Sequence, residues 1–542
     1  MTAVGQTDPR PAASNAATPV DAAVAAALRE AALREAALRE AALGPSWRVV
    51  AEVLCWFAAA LALRAGLAWA LDFDGLWGQD AWGYLDQAQA ILTWLGGGPL
   101  PVARWPQGYP ALAVAVHGFG VALPAALQQT SLLCGAITVP LVWLAGRAWF
   151  PEPTPAAAQS TAARGAISGL GPLTAPRLAA LLVACAPVHV LWSMCATSDA
   201  AAGMWLTMTA WMLGRSGATR HPSAWMVGVG AALAMALATR LACGLVAPAL
   251  LVTALWQGRR PGFRGVQVAL IALVVVLSLQ VVLWLKAPTT SVIHPWLVGW
   301  RPWHAWQRSF ETVDGAASYL WPQAVFAAFP AIHPGYLGGF GGLAALVGIA
   351  TLRQRPAPTR ALLVGWVATV WLFFAGMPYQ NYRFGLVALM PWALLAGAGA
   401  VHLARKRRAL AVVLVVATLA VQGVWAERLI GRHVTMAAQR TAAARSIDQL
   451  LPKDAIVIAF GLTGDLAGRS GRAVIELANN DGDALARLLP SKSPVFLVLD
   501  AGQVRRQWQG KPPAIHLAWL RQHAAVAVVD HVGRWGVWQV RR

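Results

Sequence analysis

The sequence predicts a mainly α-helical, polytopic membrane bundle with a small α/β domain at its C-terminal end. Three observations carry that prediction. The 542 residues are 58% hydrophobic and only 12% charged, with 28 tryptophans and a mean hydropathy of +0.53; a soluble domain carries about 25% charged residues. Apolar runs of roughly 20 residues, the length that crosses a bilayer as a helix, recur from Val49 to Glu427. After Glu427 the composition turns soluble.

Residues 1–25, rich in Ala, Thr, Asp and Pro, read as disordered. Between Ala26 and Leu43 the unit Ala-Ala-Leu-Arg-Glu repeats in a strongly helix-forming composition. A five-residue period carries each leucine about 140° around a helix, so Leu28, Leu33, Leu38 and Leu43 make no single stripe. A solvated or interfacial helix ending at Gly44-Pro45 is expected. Nothing in residues 1–46 has the pattern of a cleaved leader, and the first span, Val49–Leu71, is expected to remain as a signal anchor. The chain divides into an extension (1–46), a membrane domain (47–428) and a soluble domain (440–542).

Basic residues orient the bundle. They cluster at Arg147/Arg164/Arg177, Arg215/Arg220, Arg259/Arg260/Arg264, Arg353/Arg355/Arg360 and Arg405-Lys406-Arg407-Arg408. With a cytoplasmic N-terminus, spans near 49–71, 131–149, 178–194, 199–214, 224–239, 242–257, 266–285, 336–352, 361–377, 383–404 and 409–427 put every cluster inside. They also leave the C-terminal domain extracytoplasmic, in a bundle of about 11 to 13 spans. Tyr109–Leu127 and Trp321–Ile332, with prolines within or beside them, would each invert this arrangement if counted as a crossing. They are expected to be re-entrant or interfacial. The net charge of +20 is what cytoplasmic loops bring to such a protein, and implies membrane lipids and no nucleic acid as partners. The five cysteines form no CxxC pair and read as small packing residues.

The same topology sorts the acids. Between Trp47 and Ala426 there are nine, and four of them (Asp72, Asp74, Asp80 and Asp86) crowd one loop. Asp199, Glu311 and Asp314 fall on the same outer face. Acidic residues contribute little to orientation, so chemistry is expected there. A carboxylate at a membrane face, followed by an aromatic-rich loop, suits an enzyme acting on a lipid-linked substrate. In the loop after Lys286, Trp296, Trp300, Trp303 and Trp306 read first as an interfacial belt, and the spacing of His294 and His304 is not that of a metal site. Asp72-Phe73-Asp74 spells D-x-D but abuts a span, as a polar helix end does. Arg240 and Arg383 sit at outer ends of spans, against the inside bias. The plain reading is a snorkelling arginine; the functional one is a planar fork of donors matched to phosphate.

Gln79-Asp80-x-x-x-Tyr84-x-x-x-Ala88, followed by Trp105-Pro106-Gln107-Gly108-Tyr109-Pro110, resembles the opening of the GT-C membrane glycosyltransferases, above all the protein mannosyltransferase and aminoarabinose transferase group. Thr197-Ser198-Asp199 is similar to that family's second acidic site. Ala238-Thr239-Arg240 and Tyr382-Arg383-x(7)-Pro391 are further matches, and the landmarks run in order over residues 49–542. The sequence departs from the pattern at Ala81, where the second acid of the pair is missing. The resemblance implies a GT-C-like fold and transfer of a sugar from a polyprenyl-phosphate donor to a hydroxyl of a lipid, glycan or protein acceptor. It places the reaction at the extracytoplasmic face of the inner (plasma) membrane, with inversion by direct displacement. Such transfer needs a base beside the acceptor hydroxyl and a cation on the departing phosphate. Asp80 is the expected base, and Asp199 its support or an acceptor contact. Tyr84, Asp86, Tyr109, Arg240, Arg301, Tyr382 and Arg383 are the expected substrate contacts. No metal-ligand set is legible, and no cofactor is implied beyond an optional divalent metal.

In the tail, a helix is expected at Thr441–Leu451 and strands at Ala455–Phe460, Val495–Leu499, Ala525–Val529 and Trp535–Val540. Gly461-Leu462-Thr463-Gly464 lacks the G-x-G-x-x-G spacing and reads as a turn. The alternative from another class is a secondary transporter, which would carry ionisable groups in mid-span and repeat its membrane half. These spans are almost free of charge, Arg64 excepted, and the halves show no repeat.

Overall fold

A computed structural model describes residues 27, 30, 46–101, 105–151, 174–257, 262–286, 299–312, 314–489 and 492–541. The stretch 1–25, the repeat apart from Ala27 and Glu30, and Arg164, Arg259, Arg260, His294 and Trp296 lie outside the described residues.

The chain opens with α1 (Ser46–Ala70), α2 (Gly78–Leu95), α3 (Gly108–His117) and α4 (Leu123–Trp149). It continues with α5 (Ala175–Cys185), α6 (Pro187–Met194), α7 (Asp199–Ser216) and α8 (Pro222–Thr239). A 3-10 turn, Leu241–Val246, leads into α9 (Ala247–Trp256), and α10 (Gly262–Lys286) follows. A hairpin of β1 (Ser309–Thr312) and β2 (Gly315–Ser318) precedes α11 (Gln323–Ala327) and α12 (Phe329–Ile332). The membrane part closes with α13 (Gly338–Thr351), α14 (Ala357–Ala375), α15 (Leu386–Lys406) and α16 (Arg408–Leu450).

Every apolar segment expected to span is helical, but the pieces are unequal. Among the described residues, six helices are long and apolar enough to cross a membrane, and α5 with α6, bent by 56°, makes a seventh. Pro187 opens α6 at that bend, where a proline cannot supply the hydrogen bond that would continue the helix. At 14 residues, α13 is about 21 Å long, short of the roughly 30 Å hydrocarbon core. The two proline-marked segments are shorter still: α3 has 10 residues, and α11 and α12 have 5 and 4. The protein is a multi-pass membrane protein. Its outer surface says the same: Ile271, Val274 and Val275 on α10 are about two-thirds exposed, an apolar face that lipid covers.

Small residues bring the interior helices together. A methyl group on Gly399 of α15 would lie 2.7 Å from the Gly348 backbone nitrogen of α13, so the two backbones touch as small-residue membrane interfaces do. Arg64, the charge inside α1, is fully enclosed. Its Nη1 donates to the Ala60 carbonyl and its Nη2 to His189 Nδ1 at 2.7 Å, which tethers α1 to α6.

The 43 residues of α16 make a rod about 65 Å long. Its first part is apolar; its last turns belong to the soluble domain. The helix expected at Thr441–Leu451 is therefore the end of this rod, and the expected boundary at 428–440 falls within it. The domain itself contains β3 (Ile456–Ala459), α17 (Thr463–Ser470), β4 (Val474–Glu476), α18 (Gly482–Leu488), β5 (Val495–Leu499), α19 (Ala501–Gln507), α20 (Pro512–His523), β6 (Ala525–Val532) and β7 (Trp535–Arg541). The sheet order is β4-β3-β5-β7-β6, with β3 parallel to β4 and β5, and β7 antiparallel to β5 and β6. Ala444 and Ile447 of α16 cover one face with Leu466; Leu517 and Leu520 of α20 cover the other with Leu485. The sequence signal for β4, three residues long, and for the β1–β2 hairpin was too short to read.

Replacing Gly399 with leucine should force α13 and α15 apart and destabilise the fold by about 1–3 kcal/mol. Thermal unfolding in detergent measures this, and an unchanged midpoint would show that the two helices are not in contact there.

Candidate active site: two carboxylates and two arginines

Four side chains from distant parts of the chain meet at one end of the bundle. Asp80 stands in the first turn of α2, after Gly78, whose φ of +71° is one that glycine adopts without strain. Asp199 is the first residue of α7. Both acids thus occupy helix N-termini, where the macrodipole favours negative charge. Arg240 is the residue at which α8 stops, its backbone extended, and a helix C-terminus favours a cation. Arg383 lies in the 3-10 turn Tyr382–Gly385 that precedes α15, its N–H accepted by the Asn381 side chain at 3.2 Å. That end of α15 repels a cation, so the two carboxylates hold Arg383 there.

The contacts are direct. Arg383 Nη1 donates to Asp80 Oδ2 and stands 4.0 Å from Asp199 Oδ2. Arg240 Nη1 is 2.6 Å from Asp199 Oδ1, though its N–H is not aligned for a hydrogen bond. The two Asp199 oxygens and Arg383 Nε are buried without an aligned partner. The guanidinium groups also sit over aromatic rings, Arg383 over Trp192 at 5.7 Å and Arg240 over Phe384 at 5.8 Å. Asp80 keeps 24% of its side chain exposed against 1% for Asp199. Asp80 is therefore the more accessible of the two carboxylates.

Other expected contacts play supporting parts. Tyr84 OH meets Ser198 Oγ at 2.8 Å, next to Asp199. Burial, with Asp80's charge added, pushes its phenol up to about 12, so it serves as a neutral hydrogen-bonding group. Tyr109 packs edge-on against Tyr84 at 4.9 Å. Its hydroxyl donates to the Leu127 carbonyl at 2.8 Å and meets Ser131 Oγ, which in turn donates to the Thr197 carbonyl. Gly108 explains the spacing of its motif: a methyl group there would lie 2.7 Å from the Ala238 backbone. Bare backbone lets α3 press on the end of α8 that presents Arg240.

Asp86, Arg301 and Tyr382 are not brought into the cluster. Asp86 is exposed on α2, six positions and about 240° around the helix from Asp80. Arg301 is exposed, its Nη1 donating to the Trp300 carbonyl at 2.8 Å. Tyr382 packs its ring among Phe326, Phe329 and His333. The D-x-D residue Asp74 is used structurally: it accepts from Leu76 N at 3.0 Å and from Arg469 Nη2 at 2.8 Å. Among the described residues, no group of three or more His, Cys, Asp or Glu is placed to hold a metal ion. Two neighbours carried no motif in the sequence. Trp192 lies under Arg383, and Asp314, between β1 and β2, has a carboxyl held above the usual carboxylate range by burial and then by Asp80's charge.

Residues 172–284 match the family model described as dolichyl-phosphate-mannose-protein mannosyltransferase. No curated protein sequence matches the chain. ArnT from Cupriavidus metallidurans in its apo state superposes with a TM-score of 0.56 at 17% identity, covering 88% of this chain and 97% of ArnT. The same enzyme bound to undecaprenyl phosphate gives 0.56 at 17% identity, covering 91% and 97%. The Archaeoglobus fulgidus oligosaccharyltransferase, in complex with Zn and sulfate, gives 0.51 at 11% identity, covering 90% of this chain and 72% of its own. The chain has the GT-C fold of membrane glycosyltransferases. Within that GT-C fold the acids and arginines come from α2, α7, the end of α8 and the turn before α15, so no short stretch of sequence contains the cluster.

Removing one partner of a buried ion pair strands the other. Arg240→Met should destabilise the protein by about 3–5 kcal/mol, and adding Asp199→Asn to it should recover much of that loss. Denaturation of the single and double variants tests the pairing; strictly additive effects would dissolve it.

Proposed function

We propose that this GT-C chain transfers a sugar from a polyprenyl-phosphate donor to an acceptor hydroxyl on the extracytoplasmic side of the plasma membrane. The observation that carries the reading is the Asp80–Arg383–Asp199–Arg240 cluster, in which a part-exposed carboxylate shares an arginine with a buried one. The family match over residues 172–284 and the fold of an undecaprenyl-phosphate-bound neighbour support the donor class. The basic end of α15 supports that orientation: Arg405 and Lys406 lie at its far end from Arg383, about 30 Å away along a 21-residue helix, and basic ends tend to face the cytoplasm.

The chemistry proceeds as a displacement. The donor's phosphodiester takes up Arg383, whose Nε is buried without an aligned partner and whose fork matches phosphate oxygens. Asp80 is thereby released from its ion pair. Its carboxylate accepts the proton of the acceptor hydroxyl as that oxygen bonds to the anomeric carbon. The bond from that carbon to the phosphate oxygen breaks, the electron pair leaves with the polyprenyl phosphate, and the sugar's configuration inverts. Arg240 pairs with Asp199 beside Arg383. The acceptor is a hydroxyl of a lipid, glycan or protein.

Asp80→Asn should lower transfer by about 10²- to 10⁴-fold while leaving membrane insertion and folding intact, measured with purified protein and a panel of polyprenyl-phosphate sugars, with and without chelator. Full activity in that variant would remove Asp80 as base. Arg383→Ala should raise the KM for the lipid donor more than that for the acceptor. An unchanged donor dependence would leave Arg383 a purely structural cation.

A further inference from the structure

Two contacts tie the C-terminal domain to the loops that border the carboxylate–arginine cluster. The first grips α2. Asp80 and Trp82 are two positions apart, so they project about 200° from each other around the helix. Asp80 meets Arg383 in the bundle; Trp82, buried, meets α17 of the soluble domain. A methyl group on Gly464 would lie 2.7 Å from Trp82 Cβ, and one on Gly468 would lie 2.6 Å from its Cη2. These glycines, one turn apart, leave a slot that the indole fills. Arg469 closes it, with its guanidinium 5.8 Å from the indole centre and Nη2 on Asp74 at 2.8 Å. Arg440 anchors α17 to the rod α16, bonding Asp465 and the Gly461 carbonyl, each at 2.6 Å.

The second contact holds the hairpin. Gln507 Nε2 of α19 donates to the Asp314 carbonyl at 2.8 Å. Gly315, with a φ of +89°, leaves room for the Gln507 backbone: a methyl group there would stand 2.8 Å from its carbonyl carbon. Asp314 feels Asp80's charge from this tip. One domain therefore holds both a helix carrying the candidate base and the tip of the β1–β2 hairpin.

We propose that the C-terminal domain completes the transfer site. The Gly464/Gly468 slot fixes Asp80 by fixing Trp82, and α19 fixes the hairpin tip at Asp314. Trp82, Gly464 and Gly468 are positioning residues; they touch no reacting atom. This rests on the reading of Asp80 as the base.

The test is the Gly464→Ala/Gly468→Ala protein, full length, in detergent or nanodiscs. Alanine favours a helix over glycine, so α17 itself is strengthened and only its fit to Trp82 is lost. Hydrogen exchange in residues 78–88 should rise, and kcat should fall by about 10- to 100-fold, with the donor KM within about threefold of its original value. As a second arm, Asp74→Arg and Arg469→Asp should each loosen 78–88, and the double exchange should restore both protection and turnover. Unchanged exchange and kcat in the alanine variant would overturn the proposal, as would a charge swap no better than its single variants. If the unaltered protein turns over none of the polyprenyl-phosphate sugars, the proposed function fails instead, and the exchange results alone decide whether this domain holds α2.

Discussion

The constraint on which this end of the bundle depends is electrical. Asp199 is almost completely buried, and taking an isolated carboxylate out of water costs several kcal/mol even after relaxation. That cost is offset by Arg240, in contact with it, and by Arg383 at 4.0 Å. Arg383 in turn stands where a helix N-terminus repels it, and needs Asp80 as well as Asp199. Each of the four charges is offset by its neighbours in the cluster. They come from residues 80, 199, 240 and 383, so the cluster exists only when most of the membrane part has folded. The packing devices around it serve that closure. Gly108 lets α3 touch the end of α8, Tyr109 bonds across to α4, and Ser131 bonds back to the Thr197 carbonyl just before Asp199.

Much of this was legible in the sequence, for definite physical reasons. Membrane helices announce themselves by uninterrupted apolar length, so the bundle was visible without any motif. Arg240 and Arg383 stood out because the inside bias of basic residues gave no account of them, and Asp80 and Asp199 because acids are scarce among the spans. What stayed hidden depends on direction around a helix or on contact across the fold. Asp86 shares a loop segment with Asp80 in the sequence but faces solvent once α2 winds it about 240° away. Tyr382 adjoins Arg383, yet its ring belongs to an aromatic cluster with Phe329 and His333. The bend at Pro187, the short α13 and the continuity of α16 follow from how neighbours pack, which apolar length alone does not encode.

The continuity of α16 changes how the two parts of the molecule relate. A flexible linker at 428–440 would leave the soluble domain free to drift. A single helix carries the orientation of the bundle directly into the sheet, because its last turns, Ala443 to Ile447, are part of the domain's own core. Among the described residues, the domain then returns to the membrane part through polar contacts that include Arg469 with Asp74, Gln507 with Asp314, and Lys511 with Glu311 at 3.6 Å. Exposed ion pairs contribute little to stability, at most about 1 kcal/mol each. The buried Trp82 slot is the stronger of these attachments, and the polar contacts set its register.

A neutral cluster of two acids and two arginines has a further consequence for the proposed displacement. The donor's phosphodiester adds one negative charge. As the acceptor proton moves to Asp80, that carboxylate loses its charge, while the departing phosphate monoester gains about one. The sum is unchanged; negative charge has moved from one side of Arg383 to the other. An arginine fixed between the two positions by Trp192, Asn381 and Asp199 meets that shift without having to reorganise, and preorganised charge of this kind is where most electrostatic catalysis arises. Lysine would put a single ammonium on one side or the other, whereas the guanidinium has donors pointing both ways. The fold need only hold Arg383 still while its partner changes, and the enclosure of this residue is consistent with that demand.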